Sequence, residues 1–319
     1  MDNIWQDLLP DHIFKAVEQA INASLSNICL RRNSYINRVY ELERLDNNER
    51  LIAKFYRPNR WSDKMIKEEH AFVAELAAEG LPVIAPQSLN GQTLFPCGQI
   101  NFALFPKKGG RAMDEFDKET WKIIGRLLAK SHVIGAKHTA SSRLTWEPEI
   151  ATRQHLKTIL ESGYLLPEFQ TALCNTVELF IKKSAPLFQG QERILLHGDC
   201  HKGNLIFRPN EGIYIIDFDD LCIGPPVQDL WMLLPDSPEQ SPNELAWFLE
   251  GYSVFRDFSR RSLALVPVLR GMRIVHYLAW LAIQHKESEF PRHFPDAGSK
   301  RYWTEVIKEL QEIVHQQIF

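Results

Sequence analysis

Between positions 197 and 204 the chain reads His197-Gly198-Asp199-Cys200-His201-Lys202-Gly203-Asn204, an acid, two imidazoles, an amide and two glycines within eight residues. The apolar run Ile194-Leu195-Leu196 leads into it. A loop that presents polar groups at a strand end is where function concentrates. Asp217 ends a second apolar run, in Ile216-Asp217-Phe218-Asp219-Asp220, and Lys54 ends a third, Leu51-Ile52-Ala53-Lys54. Phosphoryl transfer asks for this set. It needs a carboxylate to accept the proton of a hydroxyl, hard oxygen ligands for Mg2+, and a cation on the nucleotide phosphates; positioning does most of the remainder. In the kinase catalytic loop the base Asp and the metal-binding Asn stand five apart, as Asp199 and Asn204 do here. The later strand-end Asp matches the metal Asp of the D-F-G element, and the strand-end Lys matches V-A-I-K. The segment after Lys54 offers Glu68 and Glu69 as its acidic partner; Glu69 is preferred because its spacing to Leu76 fits one helix face.

Taken singly, these residues have plainer readings. His197, Asp199 and His201 alternate, so an extended strand would put them on one face like metal ligands. No H-x-H pair occurs among the eleven histidines, which argues against a binuclear metallohydrolase. An acidic stretch after a strand is by itself a solvated turn, a lone Ser34 is a turn residue, and a strand-end Lys is an exposed edge residue. Their joint occurrence in this order favours the chemical reading.

The elements that must position these residues divide the chain in two. An amphipathic helix is predicted over 11–23, followed by the β-like runs ICLRR, RVYELER and LIAKFY, the last two joined by a turn at Asp46-Asn47-Asn48. A helix is predicted over 61–79, with Ser62 as N-cap and Gly80 closing it. Two more strands are expected near VIAPQSL and INFALF, around the turn Asn90-Gly91. The segment Pro106-Lys107-Lys108-Gly109-Gly110-Arg111 reads as a hinge, with both lysines in water. Beyond it, helices are predicted over 117–133, 168–183, 244–255, 262–285 and 299–318. On the fourth of these, Arg270, Arg273 and Tyr277 form a stripe that suits an acidic or phosphorylated acceptor, though such a stripe is more often the wet face opposite Ile274, Leu278 and Leu281.

With 319 residues, 45% hydrophobic content and a net charge of −3, the chain has the composition of a folded globular protein and no basic excess to mark a nucleic-acid or anionic-membrane binder. The start, MDNIWQDLLPDHIFK, shows no apolar signal core, and no run approaches the ~18 apolar residues of a membrane span. Five cysteines without a C-x-x-C pair fit reduced thiols, Cys200 being expected as a buried, inert one.

The run Leu196-His197-Gly198-Asp199-x-His201-x-Gly203-Asn204, with Ile216-Asp217-Phe218-Asp219 and Asp229-Leu230, resembles the aminoglycoside phosphotransferase and choline kinase group. Longer strings are similar to the bacterial stress response kinase A family (the YihE/RdoA type): Asn33-Ser34-Tyr35-x-Asn37-Arg38-Val39-Tyr40, Lys54-Phe55-Tyr56-Arg57-Pro58, Gly224-Pro225-x-Val227-Gln228-Asp229-Leu230-Trp231-Met232-Leu233-Leu234 and Tyr277-Leu278-Ala279-Trp280-Leu281. The resemblance implies an α+β, two-lobed, protein-kinase-like fold: a β-rich N-terminal lobe over 1–106, a hinge over 107–112 and a mainly helical C-terminal lobe over 113–319. It implies ATP and Mg2+ as cofactors and a Ser or Thr hydroxyl of a protein as acceptor, the enzyme itself included. The alternative is a small-molecule kinase of the aminoglycoside, choline or homoserine kinase type.

Carried over by position, Asp199 is the catalytic base and Asp217 acts with it. Asn204 and Asp217 hold the metal, and Lys54, paired with Glu69, contacts the phosphates. Ser34 and Asn37 belong to the nucleotide loop, the backbone around Phe105 receives adenine, and Asp229 and His197 brace the catalytic loop. A cytoplasmic monomer without nucleic-acid or membrane partners is expected. Two departures stand out. The nucleotide loop Arg32–Asn37 has no glycine, and only eleven residues separate Asp217 from Asp229. The latter leaves no room for a long activation loop, so the acceptor is expected on the helical lobe.

Overall fold

The computed structural model describes residues 4, 5, 8–138 and 141–317. Helix α1 (Pro10–Ile21) precedes strands β1 (Leu25–Arg32), β2 (Arg38–Arg44) and β3 (Arg50–Phe55). Helix α2 (Asp63–Ala78) follows, then β4 (Phe95–Cys97) and β5 (Ile100–Pro106). The strands form one antiparallel sheet in the order β1-β2-β3-β5-β4. Strict alternation in β3 sorts its residues: Leu51, Ala53 and Phe55 are buried, and the last two join Ile13 and Val17 of α1 in a core beneath the sheet. Ile52 and Lys54 therefore face the opposite side, toward the second lobe. In register, Lys54 stands between Val39 of β2 and Ala103 of β5.

Ser62 caps α2, its Oγ accepting from the Met65 amide at 3.3 Å, and Gly80 follows at φ +78°. Ile66, Glu69, Val73 and Leu76 share the buried face of α2. The run near VIAPQSL is not a strand. Val83 makes one bridge to Ile215 and Leu89 one to Gln92, because Pro82 and Pro86 withhold the amides a ladder needs. The partner of β5 is β4 instead.

The remaining elements are β6 (Arg111–Ala112), α3 (Lys118–Gly135), α4 (Arg153–Ser162), α5 (Pro167–Ser184), β7 (Ile194–Leu196), β8 (Leu205–Arg208), β9 (Gly212–Ile215), β10 (Cys222–Gly224), α6 (Gln228–Trp231), α7 (Pro242–Tyr252), α8 (Val266–Gln284), α9 (Phe290–His293) and α10 (Lys300–Glu312). Beyond α10 a π turn runs to Gln317, and the expected helix end at position 318 lies outside the described residues. Two small sheets interrupt the helices: β7 pairs with β10, and the β8–β9 hairpin takes β6 as its third strand. Within the expected hinge, Lys107 lies 2.9 Å from Glu41 and Lys108 is 3.2 Å from the Tyr214 hydroxyl, so both lysines are paired rather than projecting freely into water. The stretch Arg260–Gln284 is long and apolar enough to span a membrane, yet 56% of its most apolar window is buried, with Leu269, Val275 and Leu278 in the main helical core. The result is an α+β fold of a small antiparallel lobe and a helical lobe.

Candidate active site

The loop over 197–204 begins where β7 ends. Gly198 adopts φ +81° and passes so close to the Asp220 carbonyl that any Cβ there would collide with it. Asp229, fully buried at the start of α6, holds this turn from behind. Its carboxylate accepts from the amides of His197 at 2.9 Å and Gly198 at 2.8 Å, and His132 of α3 lies 3.1 Å from it. Gln228 adds a bond to the Gly198 carbonyl at 2.8 Å. Asp229 thus braces the loop, as expected. His197 does the same: its Nε2 donates to the Ile216 carbonyl at 2.9 Å, and its Nδ1 accepts from the Asp199 amide at 3.2 Å. Both ring nitrogens are committed, which removes His197 as a metal ligand. Among the described residues no cluster of three or more His, Cys, Asp or Glu has the geometry to hold a metal ion.

Asn204 closes the loop just before β8. Its Nδ2 donates to the Asp199 carbonyl at 2.9 Å, and its own carbonyl accepts from Ile216 at 3.0 Å. Asp199, Asn204 and the approach to Asp217 are therefore tied by backbone geometry. Asp217 follows β9 in the left-handed region, at φ +64°, which turns its half-exposed side chain into the cleft between the lobes. There its Oδ1 lies 3.5 Å from Lys54 Nζ. A lysine and an aspartate 163 residues apart meet across the lobes.

Lys54 has a closer partner, and it is not Glu69. The ammonium bonds directly to Asp219, which also receives Asn37 Nδ2 at 2.7 Å and Arg60 at 3.2 Å. Burial disfavours the charge on Lys54, but Asp219 and Asp217 outweigh it and raise its pKa well above the ordinary value. Glu69 lines the same cleft without an ion pair to Lys54. Its nearest cation is Arg143 at 3.9 Å, and burial, reinforced by Asp219, pushes its carboxyl above the usual range. The expected Lys54–Glu69 pair is thus replaced by Lys54–Asp219, because Asp219 sits directly opposite the end of β3. Glu68 points elsewhere, to Ser141 at 2.6 Å and Ser142.

Asn37 is likewise engaged. Its amide nitrogen goes to Asp219 and its oxygen accepts from the Arg57 amide at 3.1 Å, so its side chain braces the loop rather than standing free for a phosphate. Ser34 and Phe105 line the cleft with Val39, Ile52, Ile206 and Ile216, a cavity of about 310 Å³ with apolar walls from both lobes. Near Phe105 the Leu104 carbonyl accepts from Gln87 at 2.7 Å and the Lys107 amide returns to Arg50.

At the other end of the loop Asp199 faces Arg273 of α8, Nη2 to Oδ1 2.8 Å, and His201 at 3.7 Å. Burial raises the Asp199 pKa and Arg273 opposes the rise. Cys200 is fully buried with its thiol pKa pushed well up by burial, in line with an inert thiol. Sequence reasoning missed Asp219, Arg60, Arg143 and Arg273. The only signals were the second and third acids of Asp217-Phe218-Asp219-Asp220 and an arginine stripe that reads equally well as helix surface.

The donors present fit a hard divalent ion. Asn204 has its nitrogen committed to Asp199, which leaves its amide oxygen as the free donor, and Asp217 offers a half-exposed carboxylate after β9, whose exit is bonded to Asn204 through Ile216. Two such donors leave the remaining coordination positions to phosphate oxygens and water. The arrangement as a whole can bind a polyphosphate against Lys54 and hold a carboxylate, Asp199, at the far end of it.

The profile of the phosphotransferase enzyme family (APH) matches residues 28–266. "Serine/threonine protein kinase RdoA" of Salmonella typhimurium is 35% identical over 98% of this chain and 95% of its own length. "Stress response kinase A" of Escherichia coli K12 is 36% identical over 94% of this chain and 90% of its own. Among solved structures, amicoumacin kinase hAmiN in complex with AMP-PNP, Ca2+ and Ami superposes with a TM-score of 0.75 at 18% identity, covering 98% of this chain and 95% of that one.

Proposed function

The chain belongs to the phosphotransferase enzyme family and is a kinase, and from that premise we propose that it transfers the γ-phosphoryl group of ATP to Ser or Thr hydroxyls of a protein. One observation carries the reading: Lys54 of the small lobe meets Asp217 at 3.5 Å across the cleft, while Asn204 links Asp217's strand to Asp199. Adenine fits the apolar walls formed by Val39, Ile52, Phe105 and Ile216. The phosphates run toward Lys54 and Ser34. When bound, Mg2+ held by Asn204 and Asp217 would neutralise phosphate charge. Asp199 then takes the proton of the acceptor hydroxyl. The acceptor oxygen bonds to the γ-phosphorus as the bond from that phosphorus to the β–γ bridging oxygen breaks, leaving ADP. Orientation and charge neutralisation supply the rate.

A protein acceptor is supported by the near-full-length relatives named as stress response or Ser/Thr protein kinases. A second reading, a small-molecule alcohol as acceptor, is favoured by the fold's likeness to the amicoumacin kinase hAmiN. A transfer assay with γ-labelled ATP, a generic protein acceptor and a panel of amino alcohols separates the two. Label is expected on protein Ser or Thr, and label confined to small alcohols would transfer the proposal to the second reading. Asp199→Ala should keep binding of a non-hydrolysable ATP analogue and lose about 10²–10⁴ in transfer rate. Turnover at the wild-type rate would remove Asp199 as the base.

A further inference from the structure

Three residues mark one side of α8, and they have different fates. Arg270 pairs with Glu309 of α10 at 2.8 Å. Tyr277 stacks on Trp280, centroids 5.6 Å apart. Arg273 alone reaches the catalytic loop, where its Nη2 lies 2.8 Å from Asp199 Oδ1. The helix is a rigid support at this point, since Met272 and Val275 beside Arg273 are buried in the main core.

The two oxygens of Asp199 are thereby made unequal. Oδ1 faces the guanidinium, in an oblique ion pair rather than an aligned hydrogen bond. Oδ2 has His201 Nε2 at 3.7 Å, outside hydrogen-bonding distance, and stays open. Asp199 needs that asymmetry if it is to act as a base. A carboxylate on a loop can rotate about its Cβ–Cγ bond, and a proton acceptor works only when one lone pair is held toward the incoming hydroxyl. A groove of about 850 Å³ between α8 and residues 231–239 is lined by both flanking groups, His201 and Arg273, together with Trp231 and Met232. This groove brings an acceptor on the helical lobe up to the two groups that flank the carboxylate.

We propose that Arg273 is a positioning residue of the transfer reaction: it fixes Asp199 through Oδ1, so that Oδ2 is presented to the acceptor hydroxyl arriving by this groove. The inference rests on the reading of Asp199 as the base. Arginine suits the task because its charge is permanent and its planar fork hangs from a fixed helix.

The test compares Arg273→Ala, Arg273→Lys and Asp199→Asn in the full chain, with ATP-analogue binding and thermal unfolding as controls. Arg273→Ala is expected to lower kcat about tenfold to a hundredfold, as a misplaced reacting group does, with analogue affinity within about twofold of wild type. Arg273→Lys should recover part of the loss, and added guanidinium ion should raise the rate of Arg273→Ala while leaving Asp199→Asn unchanged. Wild-type kcat in Arg273→Ala beside an inactive Asp199→Asn overturns the role of Arg273 and leaves the base in place. A loss relieved neither by lysine nor by guanidinium marks a purely structural contact and overturns it too. An Asp199→Asn variant active at the wild-type rate removes the base itself.

Discussion

At the scale of single residues, the identity of the acid opposite Lys54 decides how the phosphate end of the cleft is held. Asp219 is almost wholly buried and touches Lys54, Asn37 and Arg60, all from the small lobe, while Arg143 bonds to its backbone carbonyl. Removing one partner of a buried ion pair leaves the others uncompensated, typically at a cost of ~3–5 kcal/mol. Asp219→Asn should therefore both lower stability and weaken binding of an ATP analogue. Glu69→Gln should change analogue affinity by less than about threefold, because Glu69 has no ion pair with Lys54 to lose. Calorimetric titration of both variants checks this. Equal losses in the two would mean that Lys54 moves from Asp219 to Glu69 when nucleotide binds.

At the scale of elements, the loop that joins β1 to β2 is pinned at its tip. It lacks glycine, and the structure shows what holds it. Tyr35 inserts into an aromatic cluster of the other lobe, its ring centroid 4.9 Å from His293, 5.3 Å from Phe294 and 5.6 Å from Trp280. Arg57 pairs with Glu287 beside it, and Arg38 lies 4.0 Å from Glu289. Ser34 is the residue just before this peg. Tyr35→Ala should weaken ATP-analogue binding about tenfold, in keeping with the loss of several aromatic contacts. Tyr35→Phe should bind like wild type, because the Tyr35 hydroxyl has no hydrogen-bond partner among the described residues. Fluorescence titration reads both, and unchanged affinity in Tyr35→Ala would show that the loop holds its shape without the peg. Elements with a local signal were legible in the sequence: the β-like run of β3, the cap Ser62, and the helices that start near Asp117 and Ser299, where the structure adds side-chain caps. The bracing by Asp229 was legible too. Where two long-range partners compete, the sequence holds no local trace. The choice of Asp219 over Glu69 depends on a turn at φ +64°, and the surface that Arg273 meets depends on how α8 packs. Helix α4 was missed because it opens with a π turn, Pro148–Thr152, and runs only ten residues.

At the scale of the whole molecule, buried histidines in both lobes link stability to pH. His70 bridges Tyr56 at 2.7 Å and Thr93 at 2.8 Å, and burial, with Lys54 nearby, lowers its pKa from 6.5 to about 4. In the helical lobe His155 and His276 face each other at 3.2 Å. Burial takes His155 to about 4 and, with His155 adding to it, holds His276 well below 6.5. Each imidazole is therefore neutral when folded at a pH where the unfolded chain has already bound a proton. The sign follows: between pH 6.5 and 4 the unfolded state has these imidazoles protonated and the folded state does not, so their contribution to stability is complete above 6.5 and falls as the pH falls toward 4. The ion pairs that staple the lobes persist through this window, because the permanently charged Arg60 holds Asp220 far below its ordinary value against the opposing effect of burial. The lobes should thus unfold together; the three imidazoles take up protons while Glu69, protonated in the folded state, releases one, for a net uptake of about two protons and a slope of roughly 2 kcal/mol per pH unit near pH 5.5. Urea unfolding at a series of pH values measures that slope, and a midpoint that stays flat between pH 6.5 and 5 would mean that these histidines are protonated inside the folded enzyme.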